Sequence, residues 1–361
     1  MEANFYLPVL KTKQGEFDGL EKLDEKTKKK VVPLFEVTPR EWDNEKNAKP
    51  KSIEEHINSI CKRYLKKWPQ QISFIDTYMI DNERPGGKVP ITYIVSILTS
   101  AIGTKCIPVL RLNSIDHIID AVKLNFRINY ADIGVRVSIE DITDPEFEFK
   151  LKSLLNKVEM VPADIHLILD LQNSDFSNID DFSDGILDQL EIFPNFNDWK
   201  TFTICGGAFP ETGMLKTGIN NIVRNDWEFF LTLKIKLGNR EFDRSINYGD
   251  YSIIAPGYFE FDPTKMQRSA NIRYTADKIW YVIKGKALKD SEDFKQYINQ
   301  ATQIVKSQYY MGPPFSAGDL HLKNCSDGLT KTGNPTVWKK VGHNHHITKV
   351  VTDLYANSFV A

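Results

Sequence analysis

Residues 131–137, ADIGVRV, and residues 166–171, HLILDL, are short apolar segments in which Arg136 and Asp170 interrupt the hydrophobic runs. Segments of this length and composition are typical of strands that lie buried in a parallel sheet. Six further segments share the apolar character, at 5–10, 31–36, 72–76, 106–111, 201–205 and 252–256. The sequence therefore predicts eight buried parallel strands.

Amphipathic segments separate these strands and predict helices. The clearest is 52–68, where Ser52 and Glu55 have the spacing of an N-terminal capping box. Because parallel strands require crossover connections, eight strand–helix units close most simply into a single α/β domain, a (β/α)8 TIM-type barrel. The alternative is a doubly wound open sheet, which is disfavoured because no GxGxxG turn follows Leu10. The other predicted helices are 16–29, 91–102, 114–124, 145–158, 180–190 and 221–237.

The chain beyond residue 256 carries further predicted structure. We predict an extended or hairpin segment at 272–284, a helix at 291–309 and a short terminal helix at 346–355. The intervening 312–336 segment is rich in Gly, Pro, Ser and Thr. It is too long for an ordinary connector, so we expect it to be functional or mobile.

The bulk composition is that of an ordinary globular protein, with 41% hydrophobic and 26% charged residues among 361. Since α/β barrels with insertions reach this length, we expect 1–361 to form one barrel domain. Within it, 257–290 is predicted as an insertion and 310–361 as a C-terminal cap. This domain division rests on the sequence alone.

Charge and cysteine usage exclude several classes of protein. The net charge of −2 offers no basic excess, so we expect no strong bulk binding of nucleic acid and no membrane association. The first residues, MEANFYLPVLKTK, lack a basic segment followed by an apolar h-region, so we expect no secretory leader, and no apolar run approaches the roughly 18 residues of a membrane span. No CxxC pair occurs, which favours reduced thiols and a cytoplasmic protein. The four cysteines are Cys61, Cys106, Cys205 and Cys325.

Charged residues finish or follow most of the predicted strands, and in TIM barrels the active site lies at the carboxyl ends of the strands. An uncompensated charge there is costly because the barrel mouth is partly desolvated. The charged residues at these strand ends are Lys11, Lys13, Glu16, Glu36, Asp76, Arg111, Arg136 and Asp170. They are the principal candidate site.

Two interpretations of these charges stay open. In one, carboxylates and cations neutralise each other and only stabilise the top of the barrel. In the other, the mouth is an anion pocket, where Lys11, Arg111 and Arg136 bind a phosphate or carboxylate. The catalytic candidates Glu36, Asp76 and Asp170 then act as acid and base or hold a divalent cation.

Histidines and aromatic residues near the C-terminus supply further candidates. His343, His345 and His346 are predicted to bind a metal, to close the mouth, or to cap or pack a helix that opens at 344–346. The turn at Gly206 and Gly207 admits close approach of a ligand to the backbone, although tight packing explains it equally well. The remaining ligand-binding candidates are Tyr251, Arg273, Tyr274, His345 and His346. Tyr251, Tyr258 and Tyr274, which flank the end of the eighth predicted strand, would stack on a base or sugar.

Several distinctive motifs occur along the chain: YLPVLKTKQGEFDGL, VVPLFEV, IGVRV with LILDLQ, GDYS, IRYTADKIWYVIKGK, YMGPPFSAGD and W-x-x-x-G-x-NHH. Together they resemble the Beta protein family of bacteria and phages. The resemblance implies a barrel-like fold and a place among mobile or phage-defence gene neighbourhoods; it implies no catalytic activity. The matching positions are Lys11, Lys13, Gly15, Glu16, Glu36, Arg136, Asp170, Asp250, Tyr251, Arg273, Tyr274, Trp280, Gly285, Gly312, Gly318, Asp319, Trp338, Asn344, His345 and His346.

Two classes of function follow from these observations. The first is a defence-associated barrel enzyme or sensor that binds, and in the enzyme case hydrolyses, a phosphorylated or nucleotide-like anion at the mouth. The second is a non-catalytic subunit that binds a protein partner in a defence or toxin–antitoxin complex, since a fold does not determine a function.

Overall fold

The computed structural model describes residues 4–42, 47–101, 103–129, 132–240, 242, 244–259, 262, 266–290 and 292–356. Eight parallel strands form a closed barrel, which confirms the predicted fold class. They are β1 Tyr6–Lys11, β2 Leu34–Glu36, β3 Ile72–Asp76, β4 Lys105–Arg111, β5 Ile133–Ser138, β6 Ile165–Asp170, β7 Thr201–Gly206 and β9 Asn247–Asp250. The barrel closes where β9 pairs with both β7 and β1.

Helices surround the barrel and bury an apolar face against its outer surface. Ser52 caps the N-terminus of the third helix by accepting a hydrogen bond from the Glu55 N–H, and the reciprocal bond completes the predicted capping box. The helices are α1 Gln14–Glu21, α2 Glu25–Lys29, α3 Ile53–Lys67, α4 Pro90–Leu98, α5 Asp116–Asn129, α6 Ile139–Thr143, α7 Phe147–Val158, α8 Ile179–Glu191, α9 Asn225–Gly238, α10 Gln296–Val305, α11 Ala317–Ser326 and α12 Pro335–Ala356.

The eighth barrel strand is not the predicted 252–256 segment; it is β9, a few residues earlier. Ser252 has a φ of 57°, a left-handed backbone conformation that cannot continue an extended strand. The Asp250 side chain stabilises this turn by accepting a hydrogen bond from the Ser252 N–H at 2.8 Å. Ile253, the next residue, is buried in a loop.

A second sheet, of three antiparallel strands, lies beside the barrel. The predicted hairpin forms β10, Ser269–Thr275, and β11, Ile279–Ala287. The predicted 221–237 helix was wrong at its start, because Gly218–Val223 forms β8 and pairs with β11. That pairing partner lies more than fifty residues away in the sequence, so local periodicity does not reveal it.

Helix α12 joins this sheet to the barrel. Its first half packs Trp338 and Val341 into an apolar cluster with α10, α11 and β10. Its second half packs Ile347 and Val350 into the main core around the barrel. The prediction of a short terminal helix at 346–355 was therefore wrong, as was the prediction that 344–346 opens a helix, since those residues are buried in the middle of α12.

Two other predicted segments also differ in the structure. The 16–29 segment forms α1 and α2, because Asp24 caps a new helix by accepting a hydrogen bond from the Thr27 N–H at 2.9 Å. The 312–336 segment contains α11, which Ser316 caps through the Asp319 N–H. None of the helices in the described part of the chain combines the length and hydrophobicity that a membrane span needs.

A polar layer at the carboxyl ends of the barrel strands

Strand alternation determines which side chains fill the barrel. Leu7 and Val9 of β1 point into the barrel with Leu34 and Phe74 of the next strands, where they form an apolar cluster. Since side chains alternate along a strand, the next inward position is Lys11 on β1. The same alternation turns Glu36, Asp76, Arg111, Arg136, Asp170 and Tyr251 inward. The top layer of the barrel is consequently polar, above an apolar interior.

Register brings these residues to a common level. Lys11 pairs with Glu36, and Glu36 pairs with Asp76, on three successive strands. Arg111 of β4 pairs directly with Arg136 of β5. The seven residues form the mouth network, a name we use for Lys11, Glu36, Asp76, Arg111, Arg136, Asp170 and Tyr251.

Arg136 lies at the centre of the mouth network and is 4% exposed. Its Nη1 donates to Glu36 Oε1 at 2.9 Å and to Asp76 Oδ2 at 2.8 Å. Its Nε and Nη2 donate to Asp170 Oδ2 at 3.0 and 2.6 Å. Nη2 also donates to the Tyr251 hydroxyl at 2.7 Å. Because a guanidinium has five N–H groups, every donor of Arg136 is occupied.

Each carboxylate of the network has a second partner. Glu36 forms an ion pair with Lys11. Asp76 accepts from Arg111 Nη2 at 2.7 Å and from the Tyr78 N–H at 3.0 Å.

Asp170 completes the set, since it accepts from the Tyr251 hydroxyl at 2.8 Å and from the Gln172 N–H at 3.0 Å. Three carboxylates thus face three cations. Each buried charge has a partner of opposite sign, which offsets the cost of removing it from water.

The pKa shifts follow from this arrangement. Burial raises the pKa of Asp76, but Arg111 and Arg136 more than offset this and hold it below its usual value. Burial lowers the pKa of Arg136, yet Asp170 and its other anionic partners raise it well above the ordinary value. Burial also raises the pKa of the Tyr251 hydroxyl, so the phenol stays neutral and donates its proton to Asp170.

Arg111 differs from Arg136 because it lies at the rim. Its side chain is 22% exposed, and its guanidinium lies over the Tyr78 ring at 4.3 Å from the centroid. Its Nε is buried and finds no hydrogen-bond acceptor among the described residues. Lys13, on the other side of the mouth, lies over the Tyr258 ring at 5.2 Å. The rim therefore carries cations, each beside an aromatic ring.

The glycine turn after β7 serves packing. A Cβ on Gly207 would lie 3.1 Å from both the Tyr251 ring and Pro256. A Cβ on Gly206 would lie 2.9 Å from the Phe176 ring. The close approach that requires glycine is thus made by neighbouring side chains, which is the packing alternative left open by the sequence.

Other predicted ligand-binding residues lie outside the mouth network. Glu16 is buried in α1, where its Oε2 accepts from the Lys13 N–H at 3.2 Å, and burial raises its pKa. Its Oε1 lies 3.9 Å from His343 Nε2. Arg273 of β10 donates to the Ile253 carbonyl at 2.6 Å and lies over the Phe209 ring.

Tyr274 of β10 packs against His345 of α12. Their rings stack at 3.9 Å between centroids, and both bind Asp319 of α11. The Tyr274 hydroxyl donates to Asp319 Oδ1 at 2.8 Å, and His345 Nδ1 lies 2.7 Å from Asp319 Oδ2. His345 Nε2 lies 2.8 Å from the Thr275 carbonyl.

His346 contacts the outer side of the barrel wall. Its Nε2 lies 2.9 Å from Asp250 Oδ2, and its Nδ1 lies 2.8 Å from the Thr275 hydroxyl. Burial lowers the pKa of His346 although Asp250 acts in the opposite direction. Each of His343, His345 and His346 therefore faces a different carboxylate. Within the described ranges, no group of three or more His, Cys, Asp or Glu side chains is arranged to hold a metal ion.

Two residues of these networks were not among the predicted site residues, although Asp250 is one of the positions that match the family resemblance. Tyr78 lies two residues beyond the end of β3, so continuing past each strand end would have found it. Asp250 ends β9, and placing the eighth strand at 252–256 removed it from the strand-end set. A correct position for that strand would have added it.

Comparisons with known proteins bear on the whole chain. The family model described as Beta protein matches residues 6–352. The chain belongs to the Beta protein family. No curated protein sequence matches this Beta protein family member.

A solved structure similar to this family member is the catalytic module of a family 98 glycoside hydrolase from Streptococcus pneumoniae TIGR4, in complex with the LewisY pentasaccharide blood group antigen. Identity is 10% and the TM-score is 0.36, over 69% of this chain and 46% of that one. This chain thus spans about half the length of that module. At this TM-score the similarity carries no argument about function.

Proposed function

We propose that this Beta protein family member binds a small phosphorylated or nucleotide-like anion at the rim of the barrel mouth and hydrolyses it in a defence setting. The observation that carries the proposal is Arg111, whose buried Nε–H has no acceptor in the part of the chain that the structure describes, while its guanidinium stacks on Tyr78. An arginine with a free N–H edge suits a phosphate oxygen, and an adjacent aromatic ring suits a base or sugar.

The inner network has a different role in this proposal. Arg136 has no free donor, so it does not bind the anion; it fixes the positions of Glu36, Asp76 and Asp170. Asp76 contacts both arginines and is the carboxylate nearest to the proposed ligand. Since its lowered pKa keeps it ionised, it is the general-base candidate for hydrolysis.

A matched pair of variants tests ligand binding. A thermal-shift screen with nucleoside triphosphates, sugar phosphates and pyrophosphate, with and without Mg²⁺, should find a ligand that stabilises the protein by about 2.7 kcal/mol at 100 times its Kd. Arg111→Met should abolish the shift. Arg127→Met is the control, because Arg127 is an exposed arginine on α5 that pairs with Glu159. Retention of the full shift by Arg111→Met, or no shift with any anion, would refute the proposal.

Turnover and defence are measured separately. Release of phosphate or nucleoside from the ligand should be lost in Asp76→Asn while ligand binding persists. If the wild type binds the ligand but releases no product, the protein is a sensor and not an enzyme. Cells that express the wild type should show a lower efficiency of phage plating than cells that express Arg111→Met.

The second candidate function is a non-catalytic partner subunit. The completeness of the mouth network favours it, because three cations and three carboxylates already neutralise each other without a ligand. Co-expression with the products of adjacent genes tests this function. If one of these products co-purifies in fixed stoichiometry while no anion shifts the melting temperature, the partner function replaces the first.

A further inference from the structure

Strand β8 is an unprotected edge of the three-stranded sheet. One side of it pairs with β11 from Gly218 to Val223. On the other side, no backbone hydrogen bond reaches the strand from the rest of the described chain. Proteins usually protect an exposed edge with a charged residue, a proline or a bulge. The sequence of β8, GINNIV, contains no charge and no proline, and its pairing with β11 has no bulge.

The outward face of β8 is apolar at both ends. Ile219 and Val223 are 55% and 52% exposed. In register, Ile219 lies beside Ile283 of β11, which is buried beneath α10, and Val223 lies beside Ile279. Ile219 and Val223 thus continue onto β8 an apolar surface that is covered on β11. Alternate residues such as Ile222 face the barrel.

The outward face is also complementary to itself. In an antiparallel pair, directly opposite residues project from the same face of the sheet. A two-fold axis through Asn221 therefore places Ile219 of one copy opposite Val223 of the other, twice. An axis through Asn220 or Ile222 places Asn221 opposite an apolar residue instead. Of these three registers, only the one with Asn221 on the axis pairs Ile219 of each copy with Val223 of the other.

We propose that β8 mediates a two-fold symmetric homodimer, in which two three-stranded sheets join into one continuous antiparallel sheet with Asn221 on the axis. A single pair of six-residue strands buries less area than a standard interface. The dimer is accordingly weak and reversible.

Engineered cysteines test the register. Because all four native cysteines are buried, they give little background in a crosslinking experiment. Directly opposite Cα atoms in an antiparallel pair are about 4.5–5.5 Å apart, a distance that a disulfide spans. Asn221→Cys should therefore form a covalent dimer under mild oxidation. Thr217→Cys is the control, because Thr217 is also exposed but lies about 26 Å from its counterpart in this register.

Equilibrium sedimentation tests the dimer without crosslinking. Ile219→Glu should raise the dimer Kd by about tenfold or more, since it removes both cross-strand contacts and adds charge to the edge. Ile219→Thr keeps a β-branched residue and should raise the dimer Kd less than Ile219→Glu does. Ile219 is exposed, so circular dichroism should show both variants folded. Equal crosslinking of the two cysteine variants overturns the proposal. A monomer at every concentration also overturns it and leaves the edge for a strand of another protein.

Discussion

Replacement of Arg136 by methionine measures how much the mouth network contributes to stability. Methionine preserves the apolar part of the side chain and removes the guanidinium. The variant leaves three carboxylates with two cations in a layer that is almost fully buried. Removing one partner from a buried ion pair typically costs about 3–5 kcal/mol, because it strands an uncompensated charge.

The remaining contacts keep the loss within that range. Glu36 retains Lys11, and Asp76 retains Arg111 and the Tyr78 N–H. Asp170 loses more, since only Tyr251 and one backbone N–H remain. We therefore expect Arg136→Met to lower the free energy of unfolding by about 3–5 kcal/mol at neutral pH.

Arg111→Met provides the matched control in urea unfolding followed by circular dichroism. Arg111 occupies the same register position on the neighbouring strand, but it is partly exposed and contacts one carboxylate. Its loss should cost about 1 kcal/mol. If Arg136→Met costs no more than Arg111→Met, Arg136 does not hold the mouth network together.

The pH dependence gives an independent check with a defined sign. In the wild type, the depressed pKa of Asp76 contributes stability above its unfolded pKa of about 3.9, and this stability is lost as the pH falls through the lower folded value. In Arg136→Met the stranded carboxylates should have raised pKa values and take up protons in the folded state. The difference in stability between the two proteins should therefore shrink as the pH falls from about 7 to about 5. A difference that is constant across this range contradicts the explanation.

Two further predictions concern sites outside the mouth. Burial and the nearby Asp250 raise the pKa of Asp226 to about 7. Urea unfolding should therefore show stability falling as the pH rises from about 4, the unfolded pKa, to about 7 and levelling off above it, and Asp226→Asn should remove that dependence. A Cβ on Gly318 would lie 2.5 Å from the Val341 carbonyl oxygen, so Gly318→Ala should lower the thermal unfolding free energy by about 1–3 kcal/mol. Gly185→Ala in α8, where a Cβ would have no atom of the described residues within 4 Å, should instead raise the unfolding free energy by about 0.5–1 kcal/mol.

The mouth network was predictable because it depends on local geometry. A charge that ends an apolar run of a parallel strand must lie at the mouth of the barrel, and alternation decides whether it points inward. Lys11, Glu36, Asp76 and Asp170 follow from this rule without knowledge of their partners. The sequence left open whether the charges pair, and the structure shows that those of Arg136 are fully paired.

The region around α12 was not predictable in the same way. His343, Asn344, His345 and His346 resemble a polar helix start, yet all four are buried. Their burial depends on acceptors from distant segments, such as Asp319 for His345 and the Gly19 carbonyl for Asn344. A polar residue is compatible with a core only when such a partner exists. The residue pattern of α12 alone does not show that these distant partners exist.

The GDYS segment, residues 249–252, connects these two networks, and each of its residues has a physical reason. A Cβ on Gly249 would lie 3.0 Å from the Leu7 carbonyl oxygen and 3.1 Å from the Cys205 side chain, so the closure of β9 between β1 and β7 requires glycine. Asp250 and Tyr251 are consecutive and therefore project to opposite sides of the barrel wall.

This opposition explains why the segment has two polar side chains in succession. Tyr251 points inward, where it accepts from Arg136 and donates to Asp170. Asp250 points outward, where it accepts from His346 and from the Tyr6 hydroxyl. The same carboxylate accepts from the Ser252 N–H and so compensates a left-handed backbone that costs about 1–3 kcal/mol in a residue other than glycine. The end of the eighth strand therefore fixes the inner mouth and the buried face of α12 with one carboxylate and one phenol.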